Sequence, residues 1–171
     1  MNESQIQFSE HLGCAKGDVY DGLCLGKSEI DLYQLQELLN VSAFWAKGRN
    51  IEDLGIAIAN SEPVISVSDR DRLIGFARAT SDGIYRATIW DVVIHPDYQS
   101  SGLGSKLVET VLSHPRMRRV ERVYLMTTHQ QGFYEKIGFK PNTTTTMVLH
   151  NLTNPAFISA TEVQLQESLG G

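Results

Sequence analysis

The sequence predicts a single mixed α/β domain that contains an antiparallel meander of three strands. Three observations support this fold class: segments rich in β-branched residues in which apolar and polar positions alternate, leucines and isoleucines at helical spacing, and glycine-containing turns between these segments. The chain has 171 residues, 42% of them hydrophobic and 20% charged, which is enough for one substantial core. The predicted order is strand, two helices, three strands, helix, strand, helix and a final strand.

The ends of the chain carry the weakest patterns. Residues 1–18 are polar and contain glycine, so we expect a loose lead-in there. The domain is predicted over residues 19–150, and residues 151–171 form a tail without recognisable chemistry.

A short strand and two helices are predicted next. The strand covers residues 20–25, and Ser28 and Asp31 are spaced like the capping box of a first helix. Asn50 and Asp53 suit the N-cap and N3 positions of a second helix. The first helix is indicated by four leucines on one face: Leu32, Leu35, Leu38 and Leu39.

The period then changes to that of strands. Residues 64–68 and 73–80 form the first two strands of the meander, and Asp82-Gly83 is a hairpin signal before a third strand that begins at Ile84. The later predicted elements are a strand over residues 122–126, a helix over 130–137 that ends at Gly138, and a closing strand over 143–150.

The most informative stretch is residues 90–112, where a strand leads through a Pro-containing turn into an amphipathic helix. Gly102 and Gly104 would let a ligand approach the backbone, and the unpaired N–H groups of the first helical turn favour an anion. A plain tight turn fits the same spacing. Two other phosphate-binding motifs are excluded, because Leu107 replaces the third glycine of the dinucleotide fingerprint and the P-loop lysine does not follow Gly104 directly.

Two motifs within the chain resemble those of one enzyme family. Residues 99–104 read Gln-Ser-Ser-Gly-Leu-Gly after Val-Val-Ile-His-Pro, which resembles the acetyl-CoA motif of the GNAT superfamily of N-acetyltransferases. About thirty residues later, residues 133–139 read Phe-Tyr-Glu-Lys-Ile-Gly-Phe, which is similar to that family's second motif. The order and separation of the two motifs make the resemblance more specific than either motif alone.

The resemblance implies a mixed, mostly antiparallel sheet that is splayed between its fourth and fifth strands, with acetyl-CoA in the gap. The family often has Asn seven residues before its tyrosine, where this chain has Thr127, whose hydroxyl could substitute. The other residues that the resemblance places on coenzyme A are Val92, Val93, Ile94, Gln99, Ser100, Ser101, Gly102, Leu103, Gly104, Ser105 and Lys106.

Two residues are candidates for catalysis. Tyr134 stands at the family's tyrosine position, where the phenol protonates or hydrogen-bonds the departing thiolate. By strand alternation Asp91 shares a face with Ile89 and Val93, where desolvation would suit a general base that deprotonates an amine. The alternatives are that Tyr134 is a core tyrosine and that Asp91 hydrogen-bonds a neighbouring group, and a bulge in the strand would change the face that Asp91 occupies.

The resemblance is strongest to the cyanobacterial and plastid branch of the superfamily, which includes serotonin and lysine N-acetyltransferases. The acceptor is therefore expected to be a small arylalkylamine, such as serotonin or tryptamine, or a protein lysine or N-terminus. Phe44 and Trp45, between the two predicted helices, either fill the core or line the acceptor pocket. The alternative function is a non-catalytic acyl-CoA sensor or interaction module on the same fold.

Charge and composition limit the partners. The net charge of −5 argues against nucleic-acid binding, and the basic cluster at residues 116–122 fits a solvated helix end. The scattered histidines and two cysteines show no metal-ligand spacing, and no apolar run is long enough to span a membrane. We expect a metal-free cytoplasmic protein that is a monomer or homodimer.

Overall fold

The computed structural model describes residues 5–11, 30–143 and 146–148, together with the backbone of residues 19–20 and 23–24. The chain divides into two compact units, Met1–Ile137 and Gly138–Gly171. In chain order the elements are β1 (Ile6–His11), β2 (Val19–Tyr20), β3 (Leu23–Cys24), α1 (Leu32–Ser42), α2 (Ile51–Ala59), β4 (Val64–Asp69), β5 (Arg72–Ser81), β6 (Arg86–Ile94), α3 (Leu103–Ser113), β7 (Arg122–Tyr124) and α4 (Gln131–Lys136).

The main sheet has five strands in the order β1-β4-β5-β6-β7. Its first four strands are antiparallel neighbours, whereas β7 runs parallel to β6. Helix α3 makes the crossover that a parallel pair requires. This is the mixed, mostly antiparallel sheet that the resemblance implied.

Strand β1 lies within the range that was predicted to be a loose lead-in, so that prediction is wrong for Ile6–His11. The strand pairs with β4 from Ile6 opposite Asp69 to His11 opposite Val64. It forms the edge of the sheet, and its polar residues alternate with partly buried ones, which explains why its hydrophobic signal is weak. The single strand predicted over residues 20–25 is instead the short hairpin of β2 and β3.

Helices α1 and α2 are both capped by side chains. Asp31 is itself the N-cap of α1, because its carboxylate accepts from the N–H groups of Tyr33 and Gln34. The predicted capping box with Ser28 is therefore wrong in its register, and Ser28 lies outside the described residues. Asn50 caps α2 as predicted, accepting from the N–H groups of Glu52 and Asp53.

The two faces of the sheet are covered by different helices. Leu35, Leu38 and Leu39 of α1 are buried against Phe76 and Val93 on one face, together with Leu54 of α2. On the other face lie α3 residues Leu107, Val108 and Val111, all fully buried. The buried residues under the helices therefore extend to β6, where the site described below begins.

Element boundaries near β6 differ from those predicted. Ile84 and Tyr85 belong to the turn, because the Asp82 carboxylate accepts from their N–H groups and from that of Arg86, so β6 begins at Arg86. Strand β7 is shorter than predicted, and α4 lies within its predicted range and precedes Gly138, which has a φ of 106°.

No closing strand is present in the part of residues 143–150 that the structure describes, so this prediction is wrong for residues 143 and 146–148. The remainder of that range and the predicted tail at 151–171 lie outside the described residues.

Candidate active site

Strand β6 has two ends with different surroundings. At residues 86–88, the paired end, it has β5 on one side and β7 on the other. At residues 89–94, the open end, the described residues contain a pairing partner only in β5. The gap lies between the fourth and fifth strands of the sheet, as the resemblance implied, and leaves a strand edge that an extended ligand could pair with.

A β-bulge interrupts the open end at Asp91. Phe76 and Arg78 on β5 pair with Val93 and Trp90 on β6. The two β5 residues are two positions apart, whereas their β6 partners are three positions apart, so β6 contains one extra residue. Asp91 itself has a φ of 54°, in the left-handed region that non-glycine residues rarely occupy. The bulge invalidates the simple alternation on which the predicted position of Asp91 depended.

The Asp91 side chain is buried, with 6% exposure, but it is ion-paired rather than surrounded by apolar groups. One carboxylate oxygen accepts from Nη1 of Arg49 at 2.9 Å and the other from Nε of Arg78 at 2.7 Å. The alternation that put Asp91 on one face with Ile89 and Val93 does not hold across the bulge, and the Asp91 carboxylate contacts these two arginines. The alternative, a hydrogen-bonding role, describes the contacts better.

The loop between β6 and α3 is shaped by its own hydrogen bonds. Gln99 Nε2 donates to the carbonyl of Ile94 at 3.0 Å, and the Ser101 hydroxyl donates to the carbonyl of Tyr98. Ser100 has a φ of 60°. The side chains of Gln99 and Ser101 therefore hold the loop, and its backbone remains the part suited to a ligand.

Gly102 is the N-cap of α3 and has a φ of 82° with no side-chain cap. A Cβ at this position would meet nothing within 4 Å, so the space in front of the helix is open. The first intrahelical bond runs from the Lys106 N–H to the Gly102 carbonyl, which leaves the N–H groups of Leu103, Gly104 and Ser105 without an intrahelical acceptor. These amides and the helix dipole suit a phosphate or diphosphate.

Gly104 has a different role, because it brings the two sequence motifs together. A Cβ there would lie 3.3 Å from Cζ of Phe133 on α4 and 3.9 Å from Cγ1 of Ile94 on β6. Glycine thus allows an aromatic ring to approach the first turn of α3. The end of β6, the start of α3 and helix α4 meet at this point.

Tyr134 follows Phe133 on α4, and the two rings pack edge to face with centroids 4.8 Å apart. The Phe133 ring therefore lies between two contacts, one with Tyr134 and one with Gly104 in the first turn of α3. Tyr134 is half-buried, and burial raises the pKa of its phenol above the ordinary value of about 10. At neutral pH the phenol therefore retains its proton, as a proton donor must.

The other predicted residues are placed less uniformly. Val93 is buried in the core with α1, and Val92 is partly exposed on the open end. The Lys106 ammonium lies 4.6 Å from the centre of the Phe8 ring. Lys106 therefore contacts β1, the strand at the opposite edge of the sheet from β7. The Thr127 hydroxyl accepts from the Gln130 N–H at 3.1 Å, at the start of α4.

Phe44 and Trp45 form an edge-to-face pair in a short 3-10 turn between α1 and α2, with ring centroids 5.1 Å apart. Their exposures are 64% and 54%, so the interpretation that they fill the core is wrong. An aromatic pair exposed on this linker is compatible with contact to an acceptor.

Arg49 and Arg78 belong to the site, although no sequence motif indicated them. Arg78 lies in a strand whose neighbours Ala77 and Ala79 are fully buried, and its own side chain is only 16% exposed. A charged residue on the inner face of a predicted strand implies a buried partner. That signal was present in the pattern, whereas the partner's identity depended on the bulge.

Within the described part of the chain, no cluster of His, Cys, Asp and Glu could hold a metal ion. The helices of that part are all too short or too polar to cross a bilayer.

Comparison with known proteins identifies the family. The model of the acetyltransferase (GNAT) family matches residues 32–139. "Uncharacterized N-acetyltransferase ycf52" of Pyropia yezoensis is 37% identical over 131 residues, which are 74% of each chain. "Histone acetyltransferase TAP1" of Glycine max is 36% identical over 124 residues, which are 66% of this chain and 53% of that one.

Solved structures agree at the level of the fold. A GNAT-family acetyltransferase from Streptococcus pneumoniae TIGR4 superposes with a TM-score of 0.64 at 22% identity, covering 86% of this chain and 98% of that one. The family-model match covers more than half of the chain, and both motifs lie within it. The chain therefore belongs to the acetyltransferase (GNAT) family and is an N-acetyltransferase.

Proposed function

We propose that the protein transfers an acetyl group from acetyl-CoA directly to a primary amine. The observation that carries the proposal is the meeting of Ile94, Gly104 and Phe133. This contact joins the end of β6, the first turn of α3 and helix α4, which carries Tyr134, and it supports a shared site at these three elements.

The residues present fit coenzyme A. The open space in front of Gly102 and the free amides of the first turn of α3 suit its diphosphate, and the open end of β6 suits its amide-containing arm. Acetyl-CoA, when bound, supplies an acetyl group activated as a thioester. The Val92 N–H, beside the bulge, is the group that we propose polarises the thioester carbonyl.

Tyr134 is the proposed proton donor. A phenol of ordinary pKa, about 10, is protonated at neutral pH, and burial raises the pKa of Tyr134 further. A thiolate formed nearby would accept the proton from the phenolic oxygen, while the attacking amine loses its proton to solvent, from which the phenol regains one. A phenol and a thiol have ordinary pKa values of about 10 and about 8.5, so this transfer is chemically reasonable.

The acceptor is proposed to be an arylalkylamine, such as serotonin or tryptamine, or the amine of a protein lysine or N-terminus. The exposed pair of Phe44 and Trp45 could stack on an aromatic amine or contact a peptide. The name of the soybean relative, a histone acetyltransferase, supports a protein lysine. A cytoplasmic location and a monomeric or homodimeric state stay predictions.

A thiol-release assay with acetyl-CoA and a panel of amines tests the proposal. The panel contains tryptamine, serotonin, spermidine, lysine peptides and peptides with a free N-terminus. Tyr134→Phe should lower kcat about 100-fold, because a general acid is lost, while coenzyme A affinity measured by calorimetry stays unchanged.

Tyr85→Phe is the matched control, because Tyr85 is an exposed tyrosine beside the paired end of β6. It should leave kcat unchanged. Tight acetyl-CoA binding without turnover of any amine would contradict the enzymatic proposal and favour the sensor. Wild-type turnover by Tyr134→Phe would exclude the phenol as the proton donor.

A further inference from the structure

At the bulge, Asp91 forms a partly buried ion triad with Arg49 and Arg78. The carboxylate accepts one guanidinium at each oxygen, at 2.9 and 2.7 Å, and Arg78 Nη1 also donates to the Ser61 hydroxyl at 3.0 Å. Side-chain exposure is 6% for Asp91, 16% for Arg78 and 34% for Arg49. Removing one member would leave a buried charge with an incomplete set of partners.

The backbone at this point needs such support. The left-handed φ of Asp91 costs about 1 to 3 kcal/mol for a non-glycine residue, and it persists only where the surroundings impose it. On β6, residues 92–94 follow directly and form half of the open end. The orientation of their peptide groups therefore depends on the bulge.

The triad also joins elements that are distant in sequence. Arg49 precedes the N-cap of α2, and its carbonyl accepts from Nε2 of Gln36 on α1 at 2.8 Å. Ser61 follows α2, and its hydroxyl donates to the Ala57 carbonyl at 2.7 Å. The linker that carries Phe44 and Trp45 is thus tied through Arg49 to the bulge in β6.

We propose that Asp91 is a positioning residue rather than the general base, and that the triad fixes the bulge and the α1–α2 linker relative to each other. The inference rests on the proposed function, because the open end matters for catalysis only if acetyl-CoA binds there. Both carboxylate oxygens already accept from guanidinium groups, so their geometry serves to hold the two arginines. The linker and the strand edge would then be positioned together for acetyl transfer.

Arg49→Met is the most informative variant, because Arg49 is the most exposed member and its loss leaves the Asp91–Arg78 pair intact. Arg86→Met is the matched control, since Arg86 lies on the same strand at the paired end and its ion pair with Glu121 is exposed. The first readout is amide hydrogen exchange at residues 92–94, which needs no turnover. We expect exchange to be about tenfold faster in Arg49→Met and unchanged in Arg86→Met.

The second readout is the steady-state rate. Arg49→Met and Asp91→Asn should both lower kcat by about 10- to 100-fold, because the reacting groups are misplaced, and both should keep the shape of the pH profile of kcat. Arg49→Lys should restore part of the rate, since it keeps a cation at the linker. The double variant Arg49→Met/Asp91→Asn should have a kcat little lower than that of Asp91→Asn alone, because Arg49 and Asp91 act as one unit.

Two results would overturn the proposal. One is unchanged exchange at residues 92–94 in Arg49→Met. The other combines two observations: in Asp91→Asn the fall of kcat towards low pH disappears, and Arg49→Met keeps the wild-type kcat. This combination would make Asp91 the base. If the wild type acetylates no amine, the proposed function fails, whereas the exchange experiment still decides whether the triad holds the bulge.

Discussion

The two ends of β6 show how one strand can serve both stability and function. At the paired end, residues 86–88 have neighbours on both sides, and the preceding turn is closed by three hydrogen bonds to Asp82. At the open end, residues 89–94 have one neighbour among the described strands, a bulge and a residue with positive φ. The regular end is explained by pairing alone, whereas the irregular end requires side-chain support.

The difference also concerns how each end is closed. An unpaired strand edge in a folded domain is a liability unless something covers it. Here the first turn of α3 and the Phe133 ring close around Ile94 at the far end of the strand. The unpaired edge between them and the paired end is thus limited to a few residues of β6.

The largest expected effect comes from disturbing the packing behind the open end. Gly75 on β5 lies opposite Ile94, and a Cβ there would be 2.7 Å from Cδ1 of Ile94 and 3.0 Å from Cγ2 of Val67. Gly75→Ala should therefore lower the free energy of unfolding by about 2 to 3 kcal/mol through overpacking. Urea denaturation monitored by circular dichroism measures this loss.

Gly55→Ala provides the contrast for that measurement. Gly55 lies within α2, where a Cβ would make an ordinary 3.5 Å contact with Leu32, so alanine should stabilise the protein by about 0.5 to 1 kcal/mol. If Gly75→Ala lowered the free energy of unfolding no more than Gly55→Ala does, Ile94 would not be packed closely against Gly75 of β5.

An effect of intermediate size is expected for alanine substitutions of the glycines that precede and follow β6, and acetyl-CoA binding should distinguish the two variants. Gly83, in the turn at the paired end, and Gly102, beyond the open end, have φ values of 81° and 82°, and a Cβ added to either would meet nothing within 4 Å. Alanine at either position should cost about 1 kcal/mol of stability, because both backbones are left-handed. Only Gly102→Ala should weaken acetyl-CoA binding, by about tenfold in calorimetry, because its methyl group enters the space proposed for the diphosphate.

Equal loss of acetyl-CoA affinity in both glycine variants would mean that backbone strain, and not the space before α3, controls binding. Unchanged affinity in both would place the diphosphate elsewhere.

The same contrast explains what could be predicted from the sequence. The meander, the α2 cap at Asn50 and the leucine face of α1 follow from local rules, and the structure confirms them. The left-handed N-cap at Gly102 fits the glycine that the sequence has there, because glycine adopts such a φ at little cost. These features depend on residues that are close in the chain.

The errors arose where distant residues decide the outcome. The alternation predicted for β6 fails at Asp91, because Arg49, 42 positions away, and Arg78 turn the carboxylate towards them. At Gly104 the missing Cβ makes room for the ring of Phe133, a contact that the local motif does not specify. Strand β1 was missed because its polar pattern has meaning only beside β4. A single sequence gives no direct measure of such contacts.

The smallest expected effect tests whether Tyr134 is buried at the open end as described. Burial raises its pKa in the folded state above the unfolded value of about 10, so the folded protein binds this proton more tightly. The resulting contribution to stability is fully present below about pH 10 and is lost as the pH rises from there through the raised pKa. Urea denaturation of the wild type and of Tyr134→Phe from about pH 8 to pH 11 should show a constant difference in unfolding free energy up to about pH 10 and a decline of the wild type relative to the variant above it. Tyr98, whose pKa is raised by its hydrogen bond to Asp69, is present in both proteins and cancels in this difference. A difference that stays constant over the whole range would show that the phenol is as solvated in the folded state as in the unfolded one, and would weaken its assignment as the proton donor beside α3.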